Sequence, residues 1–104
     1  MARITTRWLA QGGLRKLGLS THEGWVLVAL VERADRDGIA WPSQYTIAAD
    51  LGIARSTVQL ALTRLVEVGA IVEHEPGRQG RSARYRITNV AQLDRRPGQL
   101  AAVN

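Results

Sequence analysis

The order of signals along this chain predicts an α+β domain, a three-helix core closed by a C-terminal β-hairpin. Two helix-length segments meet at Gly52 within Trp41 to Ile71 (WPSQYTIAADLGIARSTVQLALTRLVEVGAI). An apolar segment at Gly24 to Val31 precedes them, and alternating apolar and arginine positions follow from Ala83 to Thr88. An apolar period near 3.6 that gives way to a period of 2 marks the passage from helix to strand. At 104 residues the chain suits one domain with a modest core.

Each element has its own signal. Residues 1–19 (MARITTRWLAQGGLRKLGL) are expected to form an N-terminal arm, in which Gly12, Gly13 and Gly18 break any long helix. Trp8, Leu9, Leu14 and Leu17 are its docking residues. Ser20 and Glu23 have capping-box spacing and open the first helix at about Thr21. Trp25 to Val31 is β-branched enough to imitate a strand, but the segment runs on to Ala34 before Asp37-Gly38 stops it, and that length favours helix. Leu27, Leu30, Val31 and Ala34 make its core stripe. Trp25 and Val28 lie off it, toward the arm or a partner chain.

Ile39-Ala40-Trp41 reads as a short strand closed by Pro42. Ser43 caps a second helix over Gln44 to about Leu51, with Ile47, Ala48 and Leu51 inward. Gly52 makes the turn, and the third helix spans about Arg55 to Val68 on a stripe of Val58, Ala61, Leu62 and Leu65. Gly69 is placed for a left-handed C-terminal cap. Ala70 to Glu75 and Ala83 to Thr88 flank the turn Pro76-Gly77-Arg78-Gln79-Gly80. Tyr85 and Ile87 face inward, Arg84 and Arg86 outward. Residues 89–104 read as a frayed tail, leaving 20–88 as the expected folded domain.

Composition narrows the function. There is no cysteine, hence no disulfide framework or thiolate metal site. The greasiest run falls far short of the roughly 20 residues that span a membrane, and no secretory signal is recognisable, so a cytoplasmic protein is expected. His22 and His74 have no obvious third ligand. Gly77-x-x-Gly80 lacks the lysine and helix of a phosphate loop, and Asp35/Asp37 and Glu73/Glu75 read as solvated charge. Neither metal, cofactor nor catalysis is expected. Trp8, Trp25 and Trp41 each lie in or beside an apolar segment, which favours core packing over a stacking platform for single strands.

The net charge of +5 is segregated. Arg3, Arg7, Arg15 and Lys16 stand without an acid in residues 1–22, and Arg78, Arg81, Arg84 and Arg86 do so around the hairpin, while residues 23–50 are net acidic. A basic footprint of this kind suits phosphate binding through counterion release.

The frame WPSQ-x-x-IA-x-x-LGI-x-x-STV-x-x-AL-x-x-L-x-x-x-GAI, with a basic hairpin and Tyr85 after it, resembles the bacterial winged helix-turn-helix families. These include MarR- and GntR-type regulators and the small helix-turn-helix domains of phage and plasmid replication proteins. The resemblance spans roughly Leu19 to Ile87. It implies a winged helix-turn-helix whose third helix enters the major groove of double-stranded DNA and presents Arg55, Ser56, Thr57, Gln59, Leu60, Thr63 and Arg64. Arginine and glutamine suit guanine and adenine, and threonine the thymine methyl. Ser43, Gln44 and Tyr45 would meet a phosphate at the start of the second helix. Arg78 and Arg81, with Arg84, would reach the minor groove or its flanking phosphates. Ala54 departs from the usual Ser or Thr cap, and Leu60 from the usual basic residue.

The expected function is a small transcriptional regulator, a repressor by occupancy, working as a homodimer that doubles a short footprint. A replication, partition or mobile-element protein on repeated sites is the alternative within DNA binding. A winged helix that binds protein through Leu60 is the alternative outside it.

Overall fold

The computed structural model describes residues 3–41, 43–78 and 82–90. The arm is largely helical: α1 (Thr6–Trp8) and α2 (Leu14–Leu17) are joined through residues 9–13, with a kink where Gln11 and Gly12 leave helical geometry. Thr5 opens it by accepting from the Trp8 N–H at 3.1 Å. The glycines thus bend this segment rather than abolish its helicity. Leu9 and Leu17 are buried in the main core with Ile4, and Trp8 and Leu14 pack against it.

Helix α3 (Thr21–Arg33) begins with the capping box that Ser20 and Glu23 foretold: the Ser20 Oγ accepts from the Glu23 N–H and the Glu23 carboxylate from the Ser20 N–H. Its buried face is broader than the sequence stripe. Gly24 and Val26 join Leu27 and Leu30, whereas Val31 and Ala34 are only partly buried. Gly24 is covered by a second partner, since the arm also lies on this helix. A Cβ at Gly24 would come within 2.8 Å of Leu14.

After α3 the Asp35 carboxylate accepts from the N–H groups of Asp37 and Ile39 at 2.8 and 3.0 Å, an Asx turn leading into β1 (Ile39–Ala40). Helices α4 (Gln44–Leu51) and α5 (Arg55–Glu67) form the paired unit. Gly52, at φ 69°, takes the left-handed conformation that lets the chain reverse between them. At the end of α5 the Ala70 N–H donates to the Leu65 carbonyl and the Gly69 N–H to that of Val66, a Schellman closure around Gly69 at φ 78°. The whole expected stripe of α5 is buried.

Strands β2 (Ile71–Glu75) and β3 (Arg84–Ile87) make the hairpin, and β1 adds to the other side of β3, giving the antiparallel order β1-β3-β2. Ile71 pairs with Ile87 and Glu73 with Tyr85, and an irregularity between Glu73 and Glu75 shifts the register. Beyond β3 the Ile4 N–H donates to the Thr88 carbonyl and Arg3 bridges Asn89, so the start of the arm is stitched to the end of the sheet. No helix among the described residues is long and apolar enough to cross a membrane.

Candidate nucleic-acid interface

The side of α5 turned away from the core carries the residues singled out above. Val58, Ala61, Leu62 and Leu65 face in, so the helical period turns Ser56, Leu60 and Thr63 outward, flanked by Gln59 and Arg64. Arg55, Ser56, Gln59, Leu60, Thr63 and Arg64 are all exposed, and Thr57 is half-buried. Leu60, at 73% exposure, has no packing partner in the core. The Thr63 hydroxyl donates back to the Gln59 carbonyl at 3.2 Å, and Arg64 lies 3.7 Å from Glu67.

The start of α5 lacks a capping side chain: Ala54 takes the extended cap conformation without an oxygen to offer, and the first turn holds no acid. The start of α4 is better satisfied. The Ser43 Oγ accepts from the Thr46 N–H at 3.0 Å and is 2.9 Å from the Thr46 hydroxyl, so Ser43 is in the first place a cap. One residue inside α4, Tyr45 stands 69% exposed, and Arg55 reaches across to it. The Arg55 Nη1 donates to the Tyr45 hydroxyl at 3.0 Å and the guanidinium carbon lies 4.8 Å from the ring centroid.

Gln44, Gln59 and Thr63 meet along a groove of about 340 Å³ between the two helices and the sheet, completed by Leu62, Val66, Glu67 and Tyr85. Burial, reinforced by the Glu73 carboxylate, raises the Tyr85 phenol above the usual tyrosine value near 10. That phenol stays protonated, and so remains a donor, at neutral pH.

The hairpin residues divide. Arg78 is exposed just beyond β2, whereas Arg81 lies outside the described residues. Arg84 is only half-buried on the expected outer face: its Nε is 3.7 Å from Glu75 and its guanidinium lies 5.3 Å from the centroid of the Trp41 ring. The tryptophans correct an expectation. Trp41 is 48% and Trp25 55% exposed, so neither is a core residue, while Trp8 does pack against the core. Strand alternation held the signal for Trp41, because a buried Ala40 sends its neighbour to the opposite face. Trp25 and Val28 line an apolar pocket of about 270 Å³ with Thr6, Leu9, Ala10 and Leu14 of the arm, as their off-stripe positions implied.

Comparison with known proteins places this arrangement. The family model described as a helix-turn-helix domain matches residues 17–71, just over half of the chain. No curated protein matches it in sequence. Among solved structures the fold is similar to that of a possible transcriptional regulator from Methanosarcina mazei Go1, at 19% identity and a TM-score of 0.61, covering 84% of this chain and 71% of that one. A protein of the thermoacidophilic archaeon Sulfolobus tokodaii gives 17% identity and a TM-score of 0.59, covering 91% and 90%. Disulfide-formed AbfR gives 20% and 0.53, covering 94% of this chain and 64% of its own. With α4, Gly52 and α5 as the paired helices and the β2–β3 hairpin beside them as the wing, the chain belongs to the helix-turn-helix domain family in its winged form.

Proposed function

We propose that this protein binds double-stranded DNA with sequence preference and acts as a small transcriptional regulator, repressing by occupancy. The observation that carries the reading is the outer face of α5. Arg55, Ser56, Gln59 and Thr63 are exposed there, on a helix whose opposite face is wholly committed to the core. Arginine and glutamine side chains on one helix face supply the donors and acceptors that discriminate base edges in the major groove. The start of α4, with Ser43, Gln44 and Tyr45, would meet a phosphate, and Arg78, Arg81 and Arg84 would anchor the wing. The Methanosarcina neighbour, described as a possible transcriptional regulator, supports the choice among DNA-binding roles. A two-fold homodimer would double a footprint of a few base pairs.

One observation favours a second reading. Leu60 at 73% and Val66 at 43% exposure lie on the same helix, and apolar exposure of this kind also suits a protein partner. Selection of tight binders from a random duplex pool near physiological salt tests the first reading directly. An enriched motif is expected, palindromic for a two-fold dimer or directly repeated for a replication-type assembly. Arg55→Ala combined with Arg78→Ala should weaken binding by tenfold or more, on the order of the loss of one base contact and one phosphate contact. Arg78→Ala alone should lower the salt slope by about one. Retention of no duplex, or unchanged affinity in the double variant, would leave the protein-binding reading.

A further inference from the structure

We propose that Tyr45 is a positioning residue for Arg55, and that the two side chains act as one specificity-determining unit. The inference rests on the DNA-binding reading above and deepens it. Arg55 is the first residue of α5, where the helix dipole is positive, the cap lacks a side-chain oxygen and no acid stands in the first turn. No carboxylate pairs with it among the described residues; its partner is Tyr45, through the 3.0 Å hydrogen bond and the cation–π contact at 4.8 Å.

Tyr45 has no other evident task in the fold. It is 69% exposed and is not among the residues packed on the core. Its backbone is fixed nonetheless, because the Ser43 cap on the Thr46 N–H pins the first turn of α4 around it. The ring is therefore a surface held at a set place, and it removes rotamer freedom from a long side chain that would otherwise pay to be ordered on binding. A guanidinium has five N–H donors in a planar fork. The tyrosine hydroxyl takes one on Nη1, which leaves the Nε and Nη2 edge for a bidentate contact with the O6 and N7 of a guanine. The tyrosine hydroxyl, accepting from Arg55, keeps its own hydrogen for a phosphate oxygen.

The test is a double-variant cycle read on both affinity and base preference, using duplexes selected by the full chain. Arg55→Ala is expected to weaken binding about tenfold or more and to erase a guanine preference at one position. Tyr45→Ala should weaken binding about three- to fivefold, as expected for an exposed cation–π contact, and relax the preference at that same position. Tyr45→Phe, which keeps the ring, should lose less than Tyr45→Ala and retain the preference. The double variant should lose clearly less than the product of the two single losses, because the Arg55-dependent part of the Tyr45 effect is already gone and only the phosphate contact of the Tyr45 hydroxyl is left to lose. Both side chains are exposed, so thermal melts of the parent and all four variants should coincide. If the two losses multiply, or Tyr45→Ala leaves the guanine position intact while Arg55→Ala erases it, the pairing is overturned and the DNA reading stands. If Arg55→Ala binds like the parent, Arg55 reads no base and the pairing falls with it; failure of the full chain to select any duplex is what would sink the DNA-binding reading.

Discussion

Helices α3 and α5 have the same length, 13 residues, and each buries four residues, yet they begin in opposite ways. The first turn of α3 is closed by a reciprocal capping box and carries an acid. That of α5 has neither a side-chain cap nor an acid, and an arginine stands at its first position. A missing cap costs about 1 kcal/mol. The difference teaches that the inner faces answer to the same demand, packing against each other, while the N-termini answer to different ones. On α3 side chains of the protein itself hold the Ser20 and Glu23 N–H groups. On α5 no side chain closes the end and no acid offsets its dipole, which suits a helix that meets an anion.

The largest expected effect probes the sameness. Leu30 of α3 and Leu65 of α5 are both fully buried, so Leu30→Ala and Leu65→Ala should each cost about 2–5 kcal/mol through lost transfer energy and the cavity left behind. Urea denaturation midpoints at unchanged slope would measure it. A loss under about 1 kcal/mol at either position would mean that the two helices do not share one tightly packed core.

Next come the caps, which probe the contrast. Ser20→Ala removes the oxygen that holds the Glu23 N–H and should lower stability by about 1 kcal/mol. Ala54→Ser should act in the opposite sense, raising stability by about 0.5–1 kcal/mol, because Ala54 already has the extended backbone of a cap. Thermal melts of the two variants should therefore move in opposite directions. A melting point for Ala54→Ser at or below that of the parent would erase the contrast between the helix ends.

The same pair of helices shows what could be read from the chain alone. Capping residues, the glycine turn and the α5 stripe depend on local chemistry and were legible: Ser20 with Glu23, Ser43, Gly52, Gly69 and the run Val58, Ala61, Leu62, Leu65 all stand where their types demand. The buried arc of α3 was only half legible. Periodicity assumes one partner, and α3 has the arm as well as α5, which draws in Gly24 beneath Leu14. Hydrophobicity argues for burial of Trp41, whereas its face is set by the buried Ala40 beside it. The Tyr45–Arg55 pair is not legible as a pair in the sequence, because their contact spans the turn at Gly52. Arg84 illustrates the reverse: its alternation with Tyr85 places it on an outer face, but Glu75 and Trp41 already engage it there.

The smallest stability effect sits on the outer face of α5 and bears on its purpose. Leu60 is 73% exposed, and alanine is the better helix former, so Leu60→Ala should shift stability by no more than about 0.5 kcal/mol. Nothing in the fold would then account for a leucine there, and the side chain must be judged by what binds the helix. Against DNA, loss of an apolar contact with a thymine methyl should relax preference at one position and leave the phosphate-driven salt dependence intact. Leu60→Lys should instead strengthen binding to every duplex and steepen the salt slope by about one, because it adds a phosphate contact. If Leu60→Lys weakens a protein complex while neither variant alters duplex binding, the open end of α5 serves a partner other than DNA, and its contrast with α3 needs another cause.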